Sequence, residues 1–359
     1  MKMVQIYAII TIMSTFIPDK TLFIRMSSIG DIILTTPALR SFKKKFSRSR
    51  LDFIVRREFA ELLRHNPYID NLYEFNTQTG LAGLQKLCER LKPAGYDLIV
   101  DAHNNLRSRY LRKRVPSRKT VRINKRIIPR FFLVNFKWQI YKDNVHVVDR
   151  YMEPLRSFGV VNDNKGLELH IPRETTANIA GKFRKIKSER TTIAALCPSA
   201  KHYTKRWLKE YYVELAGKLV KDFNAYIIML GGPEDRAYCE DMRRLIGEEH
   251  VINVAGEVTL LQSAAILDHC DVVVTNDTGL MHIAVARQRN VVAIFGSTVK
   301  EFGFFPYGLN STVVEHPDLP CRPCTHIGLH KCPKKHFRCM KEVTPDMVFD
   351  AVRRYVDID

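Results

Sequence analysis

The sequence lacks any apolar run of the roughly 20 residues that a membrane-spanning helix needs. Residues 3–17 are uncharged and mostly apolar, but the segment is shorter than that. Only Lys2 supplies positive charge before it, and no small-residue cleavage site follows, so the pattern departs from that of a secretory signal peptide. We interpret residues 1–20 as an apolar N-terminal extension that rests on a membrane surface. A cleaved signal peptide is the less favoured alternative.

Low-complexity segments, short-period repeats and the G-K-[ST] ending of a P-loop are also missing. The composition, with 45% hydrophobic and 26% charged residues, excludes a disordered or membrane-embedded chain and is typical of a soluble globular protein. At 359 residues, the chain is long enough for two domains of ordinary size.

Acidic residues are absent from two strongly basic stretches. Residues 107–130 contain eleven Lys or Arg and residues 40–50 contain six, within a chain of net charge +19. A charge run is commonly a solvated face, but such one-sidedness favours an anionic partner. Nucleic acid and an anionic lipid head group both fit that description.

Short apolar runs alternate with helical patterns along the chain. The runs predict strands at residues 21–26, 51–55, 71–75, 96–101, 191–196, 225–230, 271–274 and 291–295. The helical patterns predict helices at residues 32–45, 58–65, 81–91, 208–223 and 260–268, with a terminal helix ending at Val356. This alternation implies an α/β protein with mostly parallel sheets. The turn-rich residues 162–166 predict a linker, which gives domains at 21–165 and 166–343 and a C-terminal helix at 344–359.

The most informative stretch, residues 271–296, predicts a βαβ unit. A polar turn ending in Asp277-Thr278-Gly279 joins its first strand to an apolar helix. Free N–H groups at a helix N-terminus attract anions, and open α/β sheets bind ligands at the carboxyl ends of their strands. The turn therefore predicts a phosphate-bearing ligand. His282, one turn into the helix, is either a core residue with a satisfied hydrogen bond or a contact to phosphate or sugar.

Two other turns follow predicted strands in the second half. Ser199 and Lys205 precede a helix, where a hydroxyl and an ammonium group can hold a diphosphate and neutralise the charge that develops as it leaves. The alternative is an ordinary solvated loop. Gly231-Gly232-Pro233-Glu234 permits close backbone approach, and its acid can accept from ribose hydroxyls, although glycine-rich turns after strands are common.

The first half has one comparable turn, Ser27-Ser28-Ile29-Gly30-Asp31, directly after the strand at residues 21–26. A carboxylate in that place, beside a glycine that lets a ligand approach, can act as a general base. Asp31 is thus either a general base or a helix cap, and capping leaves the two serines less well explained. Together the turns suit group transfer across a cleft, with the donor on one half and the acceptor on the other.

Four of the eight cysteines form a cluster, Cys321-x2-Cys324-x7-Cys332-x6-Cys339. A zinc ribbon has two C-x2-C pairs, and the second pair is missing here. The cluster fits a structural zinc site, disulfides or free thiols in a loop.

Seven segments resemble, in the right order, glycosyltransferase family 9, the ADP-heptose lipopolysaccharide core heptosyltransferases. They are RMSSIGDIILTTPALR, DAHNNLRSR, HVVDRYMEPLRSFGV, PSAKHYTKRW, LGGPED, VVTNDTGLMHIA and CRPC…KCPKKHFRCMKEVTPDMV, and the similarity covers nearly everything from residue 21 onward. The resemblance implies a GT-B fold, in which two Rossmann-like domains face a central cleft. It also implies inverting transfer that requires no metal or other catalytic cofactor, with the acceptor on the N-terminal domain and the nucleotide sugar on the C-terminal domain.

The resemblance further implies roles for individual residues. The general base falls on Asp31. The donor-binding positions are Ser199, Lys205, Glu234, Asp277, Thr278, Gly279 and His282. The acceptor or lipid-surface candidates are Ser27, Ser28, Gly30, Arg56, Arg57, Arg107, Arg109 and residues 112–114. The implied acceptor is a phosphorylated, acidic Kdo–lipid A or core oligosaccharide, which accounts for the excess of positive charge.

We therefore predict an enzyme that transfers heptose from ADP-heptose to an acidic lipopolysaccharide inner-core acceptor. Its predicted location is cytoplasmic, attached peripherally to the anionic inner face of the inner membrane. One alternative keeps the family but changes the nucleotide sugar or the acceptor. Another is a basic, zinc-containing nucleic-acid-binding protein, but the chain carries no helix-turn-helix or RNA-recognition signature, and we predict no nucleic-acid partner.

Overall fold

The computed structural model describes residues 16–189 and 192–356. Most of the predicted N-terminal extension, residues 1–15, lies outside the described residues. No helix within the described ranges is long and apolar enough to cross a bilayer.

The N-terminal lobe is built on a five-stranded parallel sheet of order β3-β2-β1-β4-β5. Its strands are β1 (Lys20–Ile24), β2 (Arg50–Arg56), β3 (Asn71–Phe75), β4 (Tyr96–Asp101) and β5 (Ser117–Arg122). The α-helices in this half of the chain are α1 (Ile29–Ile33), α2 (Thr36–Lys45), α3 (Gly80–Leu91), α4 (Leu106–Arg114), α5 (Ile127–Phe136) and α6 (Val147–Arg156).

The C-terminal lobe is built on a six-stranded parallel sheet of order β11-β10-β9-β6-β7-β8. Its strands are β6 (Ile193–Cys197), β7 (Tyr226–Met229), β8 (Val251–Asn253), β9 (Val272–Asn276), β10 (Asn290–Phe295) and β11 (Ser311–Glu315). The remaining α-helices are α7 (Arg173–Glu189), α8 (Lys209–Phe223), α9 (Arg236–Ile246), α10 (Leu260–Leu267), α11 (Gly279–Ala286), α12 (Arg338–Lys341) and α13 (Pro345–Val356). Short 3₁₀ helices lie at Arg57–Leu62, Thr77–Thr79, Lys92–Ala94, Tyr203–Lys205, Pro233–Asp235, Glu248–His250 and Lys300–Phe302.

The predicted α/β organisation with two mostly parallel sheets is confirmed. The central strands are buried along nearly their whole length, and every residue of β6 and of β9 is buried. Parallel strands covered by helices on both faces must be apolar throughout, which is why these runs were recognisable. The predicted domain limits at residues 165 and 343 stay a prediction.

The helix predicted at residues 32–45 forms as two helices, α1 and α2, and the break between them places Pro37 in the first turn of α2, one of the two positions in which the prediction tolerates this proline. The hydroxyl groups of Thr35 and Thr36 donate to the carbonyls of Ile32 and Ile33, at 2.7 and 2.8 Å. Pro37 has no N–H with which to bond the carbonyl of Ile33. The Thr36 side chain therefore takes over the Ile33 carbonyl, whereas the Ile32 carbonyl also accepts from the backbone N–H of Thr35, at 3.1 Å.

The two lobes touch along several elements. Helix α1 packs against α11, and the 3₁₀ helix at Arg57–Leu62 packs against α10. The carboxylate of Glu61 accepts from the backbone N–H groups of Leu260 and Leu261, at 3.3 and 3.4 Å. A carboxylate at a helix N-terminus is stabilising, so this contact helps to join the lobes. The predicted helix at residues 58–65 is thus a 3₁₀ helix with a role at the junction.

Candidate functional site

The carboxyl ends of β1 and β9 meet at the junction of the lobes. A Cβ placed on Gly30 would lie 2.4 Å from Cδ2 of His282, and a Cβ placed on Gly279 would lie 2.8 Å from Cβ of Ile29. Each glycine therefore omits the side chain that would push the two helix N-termini apart. The turn that carries Asp31 and the turn before α11 consequently border one site.

Asp31 lies in the first turn of α1, and its side chain is 18% exposed. Its Oδ1 lies 2.7 Å from Nη2 of Arg25 and accepts a hydrogen bond of 3.0 Å from the hydroxyl of Tyr151. Its Oδ2 accepts from Oγ and the backbone N–H of Ser28, at 2.9 and 3.3 Å. The carboxylate thus caps the helix and still faces the site, so the two interpretations drawn from the sequence are compatible.

The environment keeps this carboxylate ionised. Burial acts to raise the pKa of Asp31, but the charge of Arg25 and the hydrogen bonds from Ser28 and Tyr151 lower the pKa below its usual range. Burial raises the pKa of Tyr151, so its hydroxyl keeps its proton and donates. Sequence reasoning missed Arg25 and Tyr151. The one signal in the sequence was the charged residue Arg25 inside the otherwise apolar run TLFIRM.

Positive charge surrounds Asp31 on the N-terminal lobe. Burial and the charges of Arg25 and Lys125 lower the pKa of His103 to about 3. Burial and the charges of Arg25 and Arg130 lower the pKa of Lys125. Nδ1 of His103 is buried and has no partner among the described residues. This surrounding suits an acceptor that carries negative charge.

On the C-terminal lobe, Lys205 and Asp277 form a buried ion pair. Nζ of Lys205 lies 2.6 Å from Oδ2 of Asp277, and the two side chains are 15% and 8% exposed. The same oxygen accepts a hydrogen bond of 2.7 Å from the hydroxyl of Thr298. Asp277 therefore holds the ammonium group of Lys205 beside the N-terminus of α11, and we interpret Asp277 as a positioning residue for that lysine.

Three hydroxyl groups at this edge of the sheet are available to a ligand, although that of Thr278 also lies 3.4 Å from the hydroxyl of Thr275. Thr278 is the N-cap residue of α11 but makes no capping hydrogen bond through its side chain. The Oγ atoms of Ser199 and Ser297 are buried and have no partner within the described part of the chain. Ser297 follows β10 closely, and sequence reasoning missed it. A bound phosphate would satisfy such hydroxyls together with the open helix N-terminus.

His282 lies between the two halves of the site. Burial lowers its pKa to about 4, against the opposing charge of Asp277. The charge of Asp31 on the N-terminal lobe raises this pKa, and the charge of Lys205 on the C-terminal lobe lowers it. Its Nδ1 is buried and unpartnered among the residues that the structure describes. His282 is therefore not a core histidine with all its hydrogen bonds satisfied, because Nδ1 lacks a partner among the described residues.

Other residues singled out from the sequence are less directly placed. Glu234, Arg57, Arg107 and Arg109 are exposed, and no hydrogen bond or ion pair among the described residues joins them to Asp31 or Lys205. Arg56 pairs with Glu58. Within residues 112–114, Nε of Arg112 lies 2.7 Å from the buried carboxylate of Asp101, so this arginine is committed to the fold.

The structure does not support the structural zinc considered for the cysteine cluster. Sγ of Cys321 lies 3.7 Å from Nε2 of His336, but no group of three His, Cys, Asp or Glu side chains in the described ranges is arranged to hold a metal ion. Cys339 sits in α12, where burial raises the pKa of its thiol to about 12. Zinc binding requires thiolates, and burial of this kind opposes them. All four cysteines, Cys321, Cys324, Cys332 and Cys339, are free thiols.

Comparison with known proteins adds a family profile and several curated relatives. The profile of glycosyltransferase family 9 (heptosyltransferase) matches residues 84–334. Lipooligosaccharide heptosyltransferase 2 of Haemophilus influenzae is 26% identical over 298 residues, which cover 78% of this chain and 84% of that protein. Lipooligosaccharide heptosyltransferase 2 of Campylobacter jejuni is 29% identical over 152 residues, 42% of this chain. That match spans about half of the Campylobacter protein, 46% of its length.

Solved structures show the same architecture. A family 9 glycosyl transferase from Veillonella parvula superimposes with a TM-score of 0.80 at 20% identity, covering 95% of this chain and 98% of that chain. The Escherichia coli ADP-heptose lps heptosyltransferase II superimposes with a TM-score of 0.73 at 21% identity, covering 94% and 98%. At these identities the likeness concerns the fold, and it agrees with the predicted GT-B arrangement of two Rossmann-like lobes.

Proposed function

Because the chain belongs to glycosyltransferase family 9 (heptosyltransferase), we propose that it transfers heptose from ADP-heptose to an acidic lipopolysaccharide inner-core acceptor. The observation that carries the proposal is the contact between the two turns: Gly30, next to Asp31, lies against His282 of α11. This contact supports a reaction in which Asp31 accepts the proton close to a helix end that binds the phosphate. The names of the relatives support the sugar and the donor, since they include lipooligosaccharide heptosyltransferases and an ADP-heptose heptosyltransferase.

In the proposed reaction, Asp31 takes the proton from the acceptor hydroxyl while that oxygen attacks the anomeric carbon of the heptose. The new C–O bond forms on the face opposite the diphosphate, the bond to the diphosphate oxygen breaks, and the configuration inverts. Arg25 and Tyr151 hold the carboxylate oxygen that is not bonded to Ser28, which fixes its orientation. The carboxylate then releases its proton to solvent.

The departing ADP gains negative charge on its diphosphate. Lys205, held by Asp277, offers an ammonium group, and the N-terminus of α11 offers backbone N–H groups. The hydroxyls of Ser199 and Thr278 complete this surrounding. Donors that are fixed before the charge develops stabilise it at no cost of reorganisation. Gly279 permits the close approach, and Glu234 is the proposed contact to the nucleoside.

The proposed acceptor carries phosphate and acidic sugars. Arg25 and Lys125 form the positively charged border of the site, beside the neutral imidazole of His103, and the exposed Arg57, Arg107 and Arg109 extend the charge over the surface. We propose that the protein works in the cytoplasm at the anionic inner face of the inner membrane, where such an acceptor would be anchored.

Purified protein tests the donor and the acid–base role separately. ADP-heptose, ADP-glucose, UDP-glucose and GDP-mannose are offered with a Kdo–lipid A acceptor, and release of each nucleoside diphosphate is measured. We expect transfer from ADP-heptose alone. Preference for another sugar nucleotide would keep the family and overturn the donor.

The second arm uses Asp31→Asn, which preserves the size of the side chain but removes the proton acceptor. Transfer should cease, while the affinity for ADP-heptose, measured by calorimetry, stays within a few-fold of that of the parent protein. Asp222→Asn, at an exposed position of α8, is the control and should transfer normally. Normal turnover by Asp31→Asn would remove Asp31 from the mechanism.

A further inference from the structure

Helix α5 and the segment after it expose a set of large apolar side chains, which we call the α5 surface. It comprises Ile127, Ile128, Phe131, Phe136, Trp138 and Ile140, which are 60%, 67%, 54%, 51%, 59% and 45% exposed. Within α5, Leu133 is the residue that is buried. A surface helix of a globular protein ordinarily turns its apolar face to the core, so an outward-facing apolar set marks an interaction surface.

The aromatic rings of the α5 surface pack on one another and on Phe132, a half-buried residue of α5. Phe132 and Trp138 are stacked, with ring centroids 5.8 Å apart and an interplanar angle of 8°. Phe136 lies 5.3 Å from Trp138 and 6.0 Å from Phe131. The rings therefore form a continuous apolar platform. Tryptophan at the edge of such a platform is typical of proteins that meet the interface between lipid and water.

Charge selects the kind of partner. No acidic residue occurs from residue 102 to residue 142, a stretch that contains all of the α5 surface. Basic residues interleave with it and flank it, namely Lys125, Arg126, Arg130, Lys137 and Lys142, of which Arg126 is paired with Glu153 and Lys137 donates to backbone carbonyls. An apolar platform with a basic border is complementary to an anionic bilayer, in which acyl chains accept the rings and head groups accept the cations.

The α5 surface also adjoins the reactive site. Lys125, two residues before α5, lies within the electrostatic reach of Asp31 and Arg25. The pKa of His326 is lowered by burial first, and then by the charges of Arg130, inside α5, and of Lys205 on the other lobe. A lipid-anchored acceptor would thus meet the site beside the surface that faces its membrane.

We propose that the α5 surface is the membrane-binding element of this protein, with its aromatic and aliphatic side chains inserted at the interface of an anionic bilayer. The proposal rests on the proposed function for the reason that the protein must reach a lipid-linked acceptor. It differs from general electrostatic attraction because it assigns binding to named apolar residues.

The test measures binding of the full-length chain to vesicles of phosphatidylcholine with and without one quarter phosphatidylglycerol. We expect binding to the anionic vesicles. Binding of Phe131→Ser/Trp138→Ser should be about tenfold weaker, because the two substitutions remove aromatic rings that the bilayer would otherwise bury. Leu245→Ser, at an exposed leucine on α9 of the other lobe, is the matched control and should bind as the parent does. Circular dichroism checks that each variant is folded.

Tryptophan fluorescence gives an independent readout, because Trp138 is exposed and Trp207 is 1% exposed. Anionic vesicles should shift the emission of the parent protein to shorter wavelength, and Trp138→Phe should abolish that shift. Equal vesicle binding by the parent and Phe131→Ser/Trp138→Ser would overturn the proposal. So would a dimer in the parent that the double substitution dissociates without weakening vesicle binding, since a second copy would then cover the surface.

Transfer assays separate this inference from the proposed function. With a deacylated, water-soluble acceptor the double variant should match the parent, and with acceptor embedded in vesicles it should be slower. Vesicle binding that depends on the α5 surface, in a protein that transfers heptose to neither acceptor, would leave this inference standing while the proposed function fails.

Discussion

Gly30 of the N-terminal lobe lies directly against the imidazole of His282 in the C-terminal lobe, so close that a methyl group at position 30 would come within 2.4 Å of Cδ2. Gly30 precedes Asp31 in α1, and His282 lies in the first turn of α11. We assign the N-terminus of α11 to the diphosphate. The contact between Gly30 and His282 therefore sets the distance from this helix end to the carboxylate of Asp31.

Substituting Gly30→Ala should separate the helix ends and impair transfer. A displacement of about 1 Å between reacting groups can lower a rate on the order of a hundredfold, and we expect a loss of about that size in kcat. Gly217→Ala is the control, because no atom lies within 4 Å of a Cβ at that position in α8. It should leave kcat unchanged and slightly raise the free energy of unfolding. Parental kcat in the Gly30→Ala variant would show that the contact does not set the geometry.

The pH dependence of transfer should respond to Arg25. In the parent protein the pKa of Asp31 is lowered, so protonation of the base limits kcat/KM only below the ordinary aspartate range near 3.9. Arg25→Gln removes the charge that lowers this pKa and leaves the burial that raises it. The acidic limb of the kcat/KM profile should then move to higher pH. Arg64→Gln, which breaks an exposed pair with Glu74, should leave the profile in place; equal profiles for all three proteins would contradict the role of Arg25.

The Lys205–Asp277 pair allows stability to be separated from chemistry. Lys205→Met leaves a buried carboxylate with Thr298 as its remaining partner, and breaking a buried pair in this way costs about 3–5 kcal/mol of unfolding free energy. Lys205→Met/Asp277→Asn removes both charges and should recover much of that loss. Transfer should stay low in both proteins because the ammonium group is gone. Urea denaturation and kcat measure the two effects, and recovery of kcat in the double variant would exclude Lys205 as a donor contact.

His282 should make the protein less stable under mildly acidic conditions. Its pKa is about 4 in the folded chain and about 6.5 in an unfolded one. Above pH 6.5 both states are neutral and the stability is complete. Between pH 6.5 and about 4 the unfolded chain binds a proton that the folded chain does not, so stability falls with pH by at most about 1.4 kcal/mol per unit.

Denaturation at pH 7 and pH 5 checks this expectation. His282→Gln should lose less stability over that interval than the parent protein does. His65→Gln, at an exposed position, should behave as the parent. The same loss in all three would mean that other groups account for the acid sensitivity.

Local sequence pattern was sufficient where strands are buried on both faces. The strand at 96–101 has the predicted bounds, because a run of apolar residues between polar turns leaves little choice. The strand at 71–75 also has the predicted bounds, although it lies at the edge of its sheet and buries only Tyr73 and Phe75. Strand β5, SRKTVR, was missed because none of its residues is buried, so it carries no apolar run. Helix α5 was missed for a related reason: its apolar residues do not alternate between a buried and a solvated face.

The sequence by itself determined which polar residues end each strand, that Thr278 and Gly279 open a helix, and where the positive charge is concentrated. These are local properties, set by hydrophobic periodicity and by the residues that turns and helix ends prefer. Only the tertiary structure decided that Tyr151 donates to Asp31 across 120 positions of the chain, that Gly30 meets His282, and that the apolar side of α5 faces outward. No short-range pattern encodes a distance between lobes, and an apolar residue has the same letter whether it packs in the core or faces solvent.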